Sequence, residues 1–389
     1  MEKGKLRIAV IGQGRSGRDI HGKFFKNEKN DIIEVKYVVD YDPKRRARAL
    51  EEYPGCQVME SYTDLYGIKD IDLVVNASYS DQHYSVTYDL ITHGFNVVVE
   101  KPFAKSRLEC DTLIELARRN GVTLAVFQQT FLAPIYTESK RIYDSGIIGN
   151  VKQVSIRYNG LARRWDWQTL LSRVAGSVYN TGPHPIGIGL GLIDFDENAR
   201  VVYSRLDTAL TSGDGEDYAK IIIEAPGKPV VDIEINSTDA YSDYNVKLQG
   251  DRGTYITRKN GYEMTYLVLE ENEPRPVIFE SLEDADGYPM YCTDNLIKHT
   301  ESGEFAGTPF DLAVDKFYHQ VYDKIVGGTP MTVTPEMAAD IISVIETVHA
   351  QINLPAFFLV LFPLKVRYNH LNQMYWNTGC HPLFPPYNQ

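Results

Sequence analysis

The chain has 389 residues, a formal net charge of −12, and 43% hydrophobic and 24% charged residues. Because a single hydrophobic core rarely grows to this size, we expect two domains. The sequence has no Pro/Gly-rich or acidic low-complexity block, which excludes a largely disordered chain. The negative charge opposes binding to a phosphate backbone, so nucleic acid is not an expected partner.

The beginning of the chain is charged and passes directly into the apolar segment 7–11, which leaves no room for a signal peptide. The longest apolar run, residues 354–364, is far shorter than the roughly 20 residues of a membrane helix and contains prolines. We therefore predict a cytoplasmic protein without a membrane span.

The cysteines are scattered and form neither a CxxC pair nor a group with histidine at zinc-binding spacing. They are Cys56, Cys110, Cys292 and Cys380. This pattern predicts free thiols in a reducing compartment and no metal site.

Between residue 6 and about residue 125, short β-rich runs alternate with helical patterns. The runs are Leu6–Ile11, Val35–Asp40, Leu73–Ala77, Val97–Val99 and Thr123–Phe127. Such alternation is typical of a parallel sheet built from βαβ crossovers. We expect an α/β domain over residues 1–127, a Rossmann domain with a doubly wound parallel sheet.

After residue 150 the pattern changes to strands separated by turn signals. The strands are Val151–Tyr158, Ala219–Glu224, Val230–Asn236, Tyr244–Gln249 and Thr254–Arg258. Turns at 225–228 and 250–253 indicate mainly antiparallel pairing, and helical patterns follow at 311–326 and 335–351. We expect an α+β domain over residues 128–353 with a large, mainly antiparallel open sheet. The tail, residues 354–389, fits neither pattern and either seals a sheet edge or is an unusual terminus.

The segment Gly12-Gln13-Gly14-Arg15-Ser16-Gly17 follows a predicted strand and precedes a helical pattern. In this context a GxGxxG motif predicts a dinucleotide site, because the glycines permit a tight turn, close approach of the pyrophosphate and helix packing.

A second predicted strand ends at Asp40, at about the distance beyond the glycines where an acidic residue binds the adenosine ribose. Asp40 would accept hydrogen bonds from the ribose hydroxyls and repel a 2′-phosphate, so NAD is predicted in preference to NADP. Two alternatives remain open: Asp40 only begins a loop, or Arg45 and Arg46 hold a phosphate instead.

The segment Asn96-Val-Val-Val-Glu100-Lys101-Pro102 resembles the Glu-Lys-Pro motif of the glucose-fructose oxidoreductase and inositol dehydrogenase family (Gfo/Idh/MocA), and so does the preceding segment 77–83. The resemblance implies that Lys101 contacts the substrate hydroxyl and the nicotinamide ribose, and that Pro102 follows a cis peptide bond. It also implies cofactor contacts near the same strand ends, from Ser78, Ser80, His83 and Glu100.

The segment Gly176-Ser-Val-Tyr-Asn180-Thr-Gly-Pro-His184 resembles the family's helix that carries an aspartate and, four residues later, a histidine. That spacing predicts both side chains on one helix face. Here Asn180 replaces the aspartate, and an amide cannot act as a base. Gly187 also replaces the family's next acidic residue.

Two further segments resemble the family. Gln129 lies where the family usually has an asparagine, which implies a place near the nicotinamide, and residues 317–336 fit the family's closing helical segment. The resemblance covers roughly residues 5 to 352. It implies an oxidoreductase whose catalytic residues are Lys101 and His184, one removing the hydroxyl proton and the other stabilising the alkoxide, in either order.

The segment Arg163-Arg164-Trp165-Asp166-Trp167 precedes the stretch with His184. Because indole rings stack on sugar rings and arginine binds hydroxyls or carboxylates, Arg164, Trp165, Trp167 and Asn180 are candidate substrate ligands beside Lys101 and His184. Alternatively, both tryptophans only pack the domain interface.

The family resemblance implies a small-molecule polyol substrate, which is a sugar, a glycoside or an inositol. We expect an NAD-dependent dehydrogenase and favour oxidation of the C3 hydroxyl of a glycoside. The alternatives are a redox-assisted glycoside hydrolase that retains NAD, and a non-catalytic NAD-binding regulator. We also expect a homo-oligomer formed through the exposed face of the antiparallel sheet.

Overall fold

The computed structural model describes residues 4–258 and 260–351. The predicted tail, residues 354–389, and Cys380 lie outside this part. The boundary predicted between residues 127 and 128 stays a prediction. Cys56, Cys110 and Cys292 are free thiols, as predicted.

The first sheet has six parallel strands in the order β3-β2-β1-β4-β5-β6, which confirms the predicted Rossmann topology. Its central strands are buried on both faces, which explains their nearly continuous apolar sequence. The strands are β1 (Leu6–Ile11), β2 (Ile33–Val39), β3 (Gln57–Met59), β4 (Leu73–Asn76), β5 (Val97–Val99) and β6 (Leu124–Val126).

Helices connect these parallel strands. The longest is capped by the Ser106 side chain, which accepts from the backbone N–H of Glu109, and it ends at Gly121 in the left-handed conformation. These helices are α1 (Gly22–Phe25), α2 (Pro43–Glu52), α3 (His83–Thr92) and α4 (Arg107–Asn120).

The helix after the glycine-rich turn begins as a π-helix, Arg15–His21, before it continues as α1. The backbone N–H of Gly22 donates to the carbonyl of Gly17, five residues earlier. The first turn therefore holds one more residue than an α-helical turn would. His21 lies at the end of this π-helix and is fully buried.

The second sheet has eight strands in the order β14-β13-β12-β11-β7-β10-β9-β8. All neighbours are antiparallel except β7 and β10, which confirms the mainly antiparallel sheet. The strands are β7 (Val151–Asn159), β8 (Arg200–Asp207), β9 (Tyr218–Glu224), β10 (Val230–Asn236), β11 (Val246–Gly250), β12 (Gly253–Arg258), β13 (Gly261–Tyr266) and β14 (His299–Glu304).

Helices cover one face of this sheet. α7 packs so closely that a Cβ on Gly189 would lie 2.7 Å from Val231 of β10, and one on Gly191 would lie 2.7 Å from the Tyr136 hydroxyl. The glycines therefore let α7 lie directly on the strands. The helices of this half are α5 (Pro134–Ser145), α6 (Ser177–Asn180), α7 (Pro183–Leu192), α8 (Pro309–Gly327) and α9 (Pro335–Gln351); α8 packs mainly against residues 129–132 and the others contact the sheet.

The opposite face of the second sheet carries charged side chains, because successive residues of a strand point to opposite faces. Arg157 of β7 pairs with Asp232 of β10 at 2.8 Å, and Lys220 of β9 contacts the same carboxylate at 2.5 Å. Within residues 4–258 and 260–351, no helix is both long enough and apolar enough to cross a membrane.

Candidate active site

A cavity of about 850 Å³ lies at the carboxyl ends of β1, β2 and β4, where doubly wound sheets bind dinucleotides. It brings together the glycine-rich turn, the end of β2 and the loop after β4. Residues predicted to bind the cofactor that line it are Gly12, Gly14, Arg15, Ser16, Asp40 and Ser78.

The glycine-rich turn has the shape that a pyrophosphate requires. Gly12 has φ +89°, and a Cβ there would lie 2.4 Å from the carbonyl oxygen of Ala77. A Cβ on Gly17 would lie 1.8 Å from the carbonyl oxygen of Gly12, so strand and helix meet in direct contact. At Gly14, in contrast, the nearest atom to a Cβ is 3.9 Å away on Arg45, which leaves the turn open to the cavity. These features fit a dinucleotide.

Asp40 lines the same cavity, but its carboxylate already accepts hydrogen bonds from the protein backbone. It accepts from the backbone N–H groups of Gln13 at 2.7 Å and Asp42 at 2.9 Å, and it lies 3.5 Å from Arg45. Gln13 is buried and thus contacts Asp40 through its backbone N–H. Because an ionised carboxylate has about four lone-pair sites, Asp40 keeps capacity for a ribose hydroxyl.

A segment from the second half of the chain, residues 160–173, extends over this cavity. Trp167 and Arg164 line the cavity, and the Trp167 ring meets Tyr79 edge-on at 4.9 Å. Arg173 pairs with Asp81 at 2.9 Å and so ties the end of the segment to the loop after β4. Trp165, a predicted substrate ligand, is instead 82% exposed.

Lys101 is the second residue after β5, and its peptide bond to Pro102 is cis, as the resemblance implied. The Lys101 ammonium donates to the backbone carbonyl of Asn180 at 2.8 Å. Burial lowers the pKa of Lys101, and the positive charges of Arg15 and Arg164 lower it further, while Glu100 opposes the shift. This lysine is therefore closer to its neutral, basic form than an exposed lysine.

Glu100 is 3% exposed and lies beneath Lys101 rather than on the cavity surface. One carboxylate oxygen accepts from the backbone N–H of Lys101 at 2.9 Å, and the other lies 3.1 Å from His21. Burial acts to raise the pKa of Glu100, but the contact with His21 and the nearby charges outweigh it and bring the pKa down to about 2. Tyr318 completes the cluster through His21 at 2.6 Å.

His83 and Ser80 are also buried. The two ring nitrogens of His83 contact backbone carbonyls, that of Pro102 at 2.7 Å and that of Ser78 at 3.3 Å. His83 therefore connects the loop after β4 with the Lys101–Pro102 turn.

The stretch predicted to be one helix from Asn180 to His184 is two helices, so that prediction is wrong. Asn180 ends α6 and His184 lies in the first turn of α7. Pro183 begins α7 and has no N–H to continue α6, which explains the break. The Asn180 side chain faces Gln168, whose amide donates to it at 2.8 Å.

His184 lies on a second cavity, of about 310 Å³, together with Gln129 and Thr130. Its Nδ1 lies 2.5 Å from the Thr130 hydroxyl, and its ring stacks with Tyr158 at 6.3 Å. Burial lowers the pKa of His184 to about 3, with a smaller contribution from the charge of Lys101. His184 is therefore neutral at physiological pH.

Gly187 shows why the family's acidic residue is missing here. A Cβ at this position would lie 3.0 Å from Ile341 of α9 and 3.1 Å from Phe131. The Gln128 amide nitrogen is 3.4 Å from the same position, so a side chain larger than hydrogen has little room on this side of α7.

Sequence reasoning missed several residues that hold the site together. They are Tyr79, Asp81, Thr130, Tyr158, Gln168 and Arg173. The sequence segments 77–83 and 163–167 contain or adjoin some of these residues. Their contacts could not be predicted, because their partners are distant in the chain.

Comparison with known proteins agrees with this geometry. Residues 6–128 match the family described as "Oxidoreductase family, NAD-binding Rossmann fold", and residues 136–256 match the "GFO/IDH/MocA C-terminal domain". An uncharacterised oxidoreductase of Streptococcus pneumoniae is 22% identical, over 84% of this chain and 89% of its own. Inositol 2-dehydrogenase 2 of Saccharopolyspora erythraea is 28% identical, over 66% of this chain and 77% of its own.

The fold is also shared with a solved structure. GenD2 from gentamicin A biosynthesis, solved in complex with NAD, aligns with a TM-score of 0.68 and 18% identity, over 90% of this chain and 95% of that one. Both halves of the chain match one family, and the two sheets and the Glu-Lys-Pro turn agree with it. The chain therefore belongs to the Gfo/Idh/MocA family of oxidoreductases.

Proposed function

We propose that this protein is an NAD-dependent dehydrogenase that moves a hydride between the secondary hydroxyl carbon of a polyol and the nicotinamide. The observation that carries the proposal is the surroundings of Lys101, a partly buried lysine whose pKa is lowered in part by Arg15 and Arg164 of the larger cavity and whose charge acts on neutral His184. A relative that is an inositol 2-dehydrogenase supports a polyol substrate.

The dinucleotide would be held by the turn 12–17, Asp40 and Ser78, of which Gly12, Gly14, Arg15, Ser16, Asp40 and Ser78 line the larger cavity. When bound, it supplies the hydride chemistry. Glu100 and His83 act from beneath by fixing the Lys101–Pro102 turn, and Gln129, which lines the smaller cavity, would contact the nicotinamide.

Lys101 takes the hydroxyl proton in this proposal, and His184 orients the hydroxyl. A pKa of about 3 makes an imidazolium at His184 costly, whereas a lysine with a lowered pKa is closer to its neutral form at working pH. The Asn180 carbonyl accepts from the Lys101 ammonium and fixes its position. Gln168 in turn holds the Asn180 side chain, and Arg164 donates to Gln168.

Asp40 supports NAD as the cofactor, because it lines the cavity and its negative charge opposes the second negative charge that a 2′-phosphate would add. Arg45 is the residue that would favour NADP, and it lies 3.5 Å from Asp40, so that its charge is partly offset by the carboxylate. We therefore expect a larger kcat/KM with NAD than with NADP.

The substrate test follows absorbance of the reduced nicotinamide with inositols, free sugars and glycosides, using NAD and NADP in parallel. We expect reduction with NAD and one class of polyol, including oxidation at C3 if that class is a glycoside. Reduction with NADP alone would overturn the assignment of the cofactor, and failure with every polyol would overturn the dehydrogenase.

A glycoside hydrolase that retains NAD is a second candidate, and the segment 160–173 over the cavity favours it. Such an enzyme releases the aglycone without net reduction of NAD. Chromatography of the products, run beside the absorbance assay, separates the two candidates.

A further inference from the structure

The cavity beside His184 has walls of two kinds. Beside His184, the polar residues of its lining are Gln129, Thr130, Tyr158 and Arg258, and the Arg258 guanidinium is already paired with Glu263 at 3.2 Å. The opposite side begins at the first turn of α8 and is apolar, with Phe305, Pro309 and Phe310. With a volume of about 310 Å³, the cavity lies at the lower end of the range of ligand pockets and accommodates one ring-sized group.

The apolar wall is a poor surface for a free sugar or inositol. A polyol has a hydroxyl on almost every carbon, and burying a hydroxyl without a partner is costly. The Thr130 hydroxyl is already engaged with His184, and the side chains of Ile135 and Phe310 offer no donor or acceptor. A group without hydroxyls would instead gain from leaving water there.

Its place beside His184 connects the cavity with the proposed reaction. His184 lines the cavity, and the Lys101 ammonium donates to the backbone carbonyl of Asn180, four residues before His184, so a hydroxyl that contacts both side chains would lie next to the cavity. A substituent on the polyol would then point toward α8. Phe310 is 40% exposed, so the far end of the cavity is open enough for a substituent to enter.

We propose that this cavity binds a ring-sized apolar aglycone, and that the substrate is therefore a glycoside of an aromatic or alicyclic group rather than a free inositol or sugar. This inference rests on the proposed function, because it assumes that the polyol reacts between Lys101 and His184. It narrows the substrate to one chemical class.

The test compares matched phenyl and methyl glycosides of glucose and galactose, with myo-inositol as a third arm. We expect kcat/KM for NAD reduction to be at least about tenfold larger for the phenyl glycoside that is accepted than for its methyl partner. Phe310→Ala lowers this phenyl-to-methyl ratio. The matched control Phe279→Ala, a 93% exposed phenylalanine between β13 and β14, leaves the ratio unchanged.

Binding is measured separately by calorimetry, with each glycoside titrated into protein that has been saturated with NADH. We expect tighter binding of the phenyl glycoside, and a loss of that difference in Phe310→Ala. Equal affinities for phenyl and methyl glycosides, or myo-inositol as the better substrate, would overturn the aglycone site. Tight phenyl binding without reduction of NAD by any polyol would retain the site and overturn the dehydrogenase.

Discussion

Lys101 and His184 differ in the cost of their charged forms, and this difference decides which of them moves a proton. Both are partly buried, and the charge of Glu100 opposes the lowering of the pKa by burial at both; the pKa of His184 nevertheless falls to about 3, whereas the lowered pKa of Lys101 brings it closer to its neutral form. An imidazole that cannot easily be protonated is suited to hold a hydroxyl. A lysine with a lowered pKa is suited to accept the proton.

The pH dependence of kcat/KM tests this division. Activity in the oxidative direction requires neutral Lys101, so it should rise with pH through a pKa below the ordinary lysine value of 10.5. His184→Asn should lower the rate but keep this rise, because His184 titrates at about 3. A rise near the ordinary histidine pKa that disappears in His184→Asn would assign the base to His184.

Gly187 provides a test of the packing around a single residue. Gly187→Asp restores the family's acidic residue, but it places a carboxylate against the apolar side chains of Ile341 and Phe131, in a space that the Gln128 amide at 3.4 Å also narrows. We expect a loss of about 3 kcal/mol or more in the free energy of unfolding, measured by urea denaturation. Gly187→Ala adds only the Cβ and should cost clearly less. A fully stable Gly187→Asp would show that this side of α7 has polar space.

At the level of elements, the Rossmann half was the easiest to predict from the sequence. β1 and β5 begin and end at the predicted residues, because buried parallel strands leave short, continuous apolar runs between turn residues. The edge strands β8 and β14 were not predicted. Their side chains are mostly exposed and their sequences lack an apolar alternation, so only pairing with neighbours reveals them.

The site was predicted as far as its motifs reach. The glycine-rich turn and Lys101 were predicted from local sequence. In the structure, the turn lies at the edge of the larger cavity, and Lys101 lies beside Asn180. The break between α6 and α7 was readable from Pro183, but the family resemblance favoured one helix. The ion pair between Arg173 and Asp81 joins residues 92 positions apart, which no local pattern specifies.

That ion pair also yields a prediction for the segment 160–173. Because it fastens the segment to the loop after β4, Arg173→Ala should speed release of bound NADH. Exposed ion pairs contribute about 0.2–1 kcal/mol, so we expect an increase of up to about fivefold. Stopped-flow fluorescence measures the rate, with Arg163→Ala as the matched control on the same segment. Equal rates in both variants would show that the segment does not restrain the cofactor.

For the whole molecule, the open face of the second sheet is the expected subunit contact. Its ion pairs among Arg157, Asp232 and Lys220 leave few free charges at its centre, which suits a buried interface. Sedimentation velocity should therefore give a mass that is a multiple of the 44.1 kDa chain. A monomer at micromolar concentration would contradict this expectation.

Lys101 takes the hydroxyl proton directly as the polyol is oxidised in the proposed reaction. Single-turnover reduction of NAD with the best substrate of the panel measures this step, in the wild type and in Lys101→Met. We expect the rate of this step to fall about 10²–10⁴-fold in Lys101→Met, with binding of NAD retained. An unchanged rate, with the polyol still oxidised, would show that Lys101 does not take the hydroxyl proton.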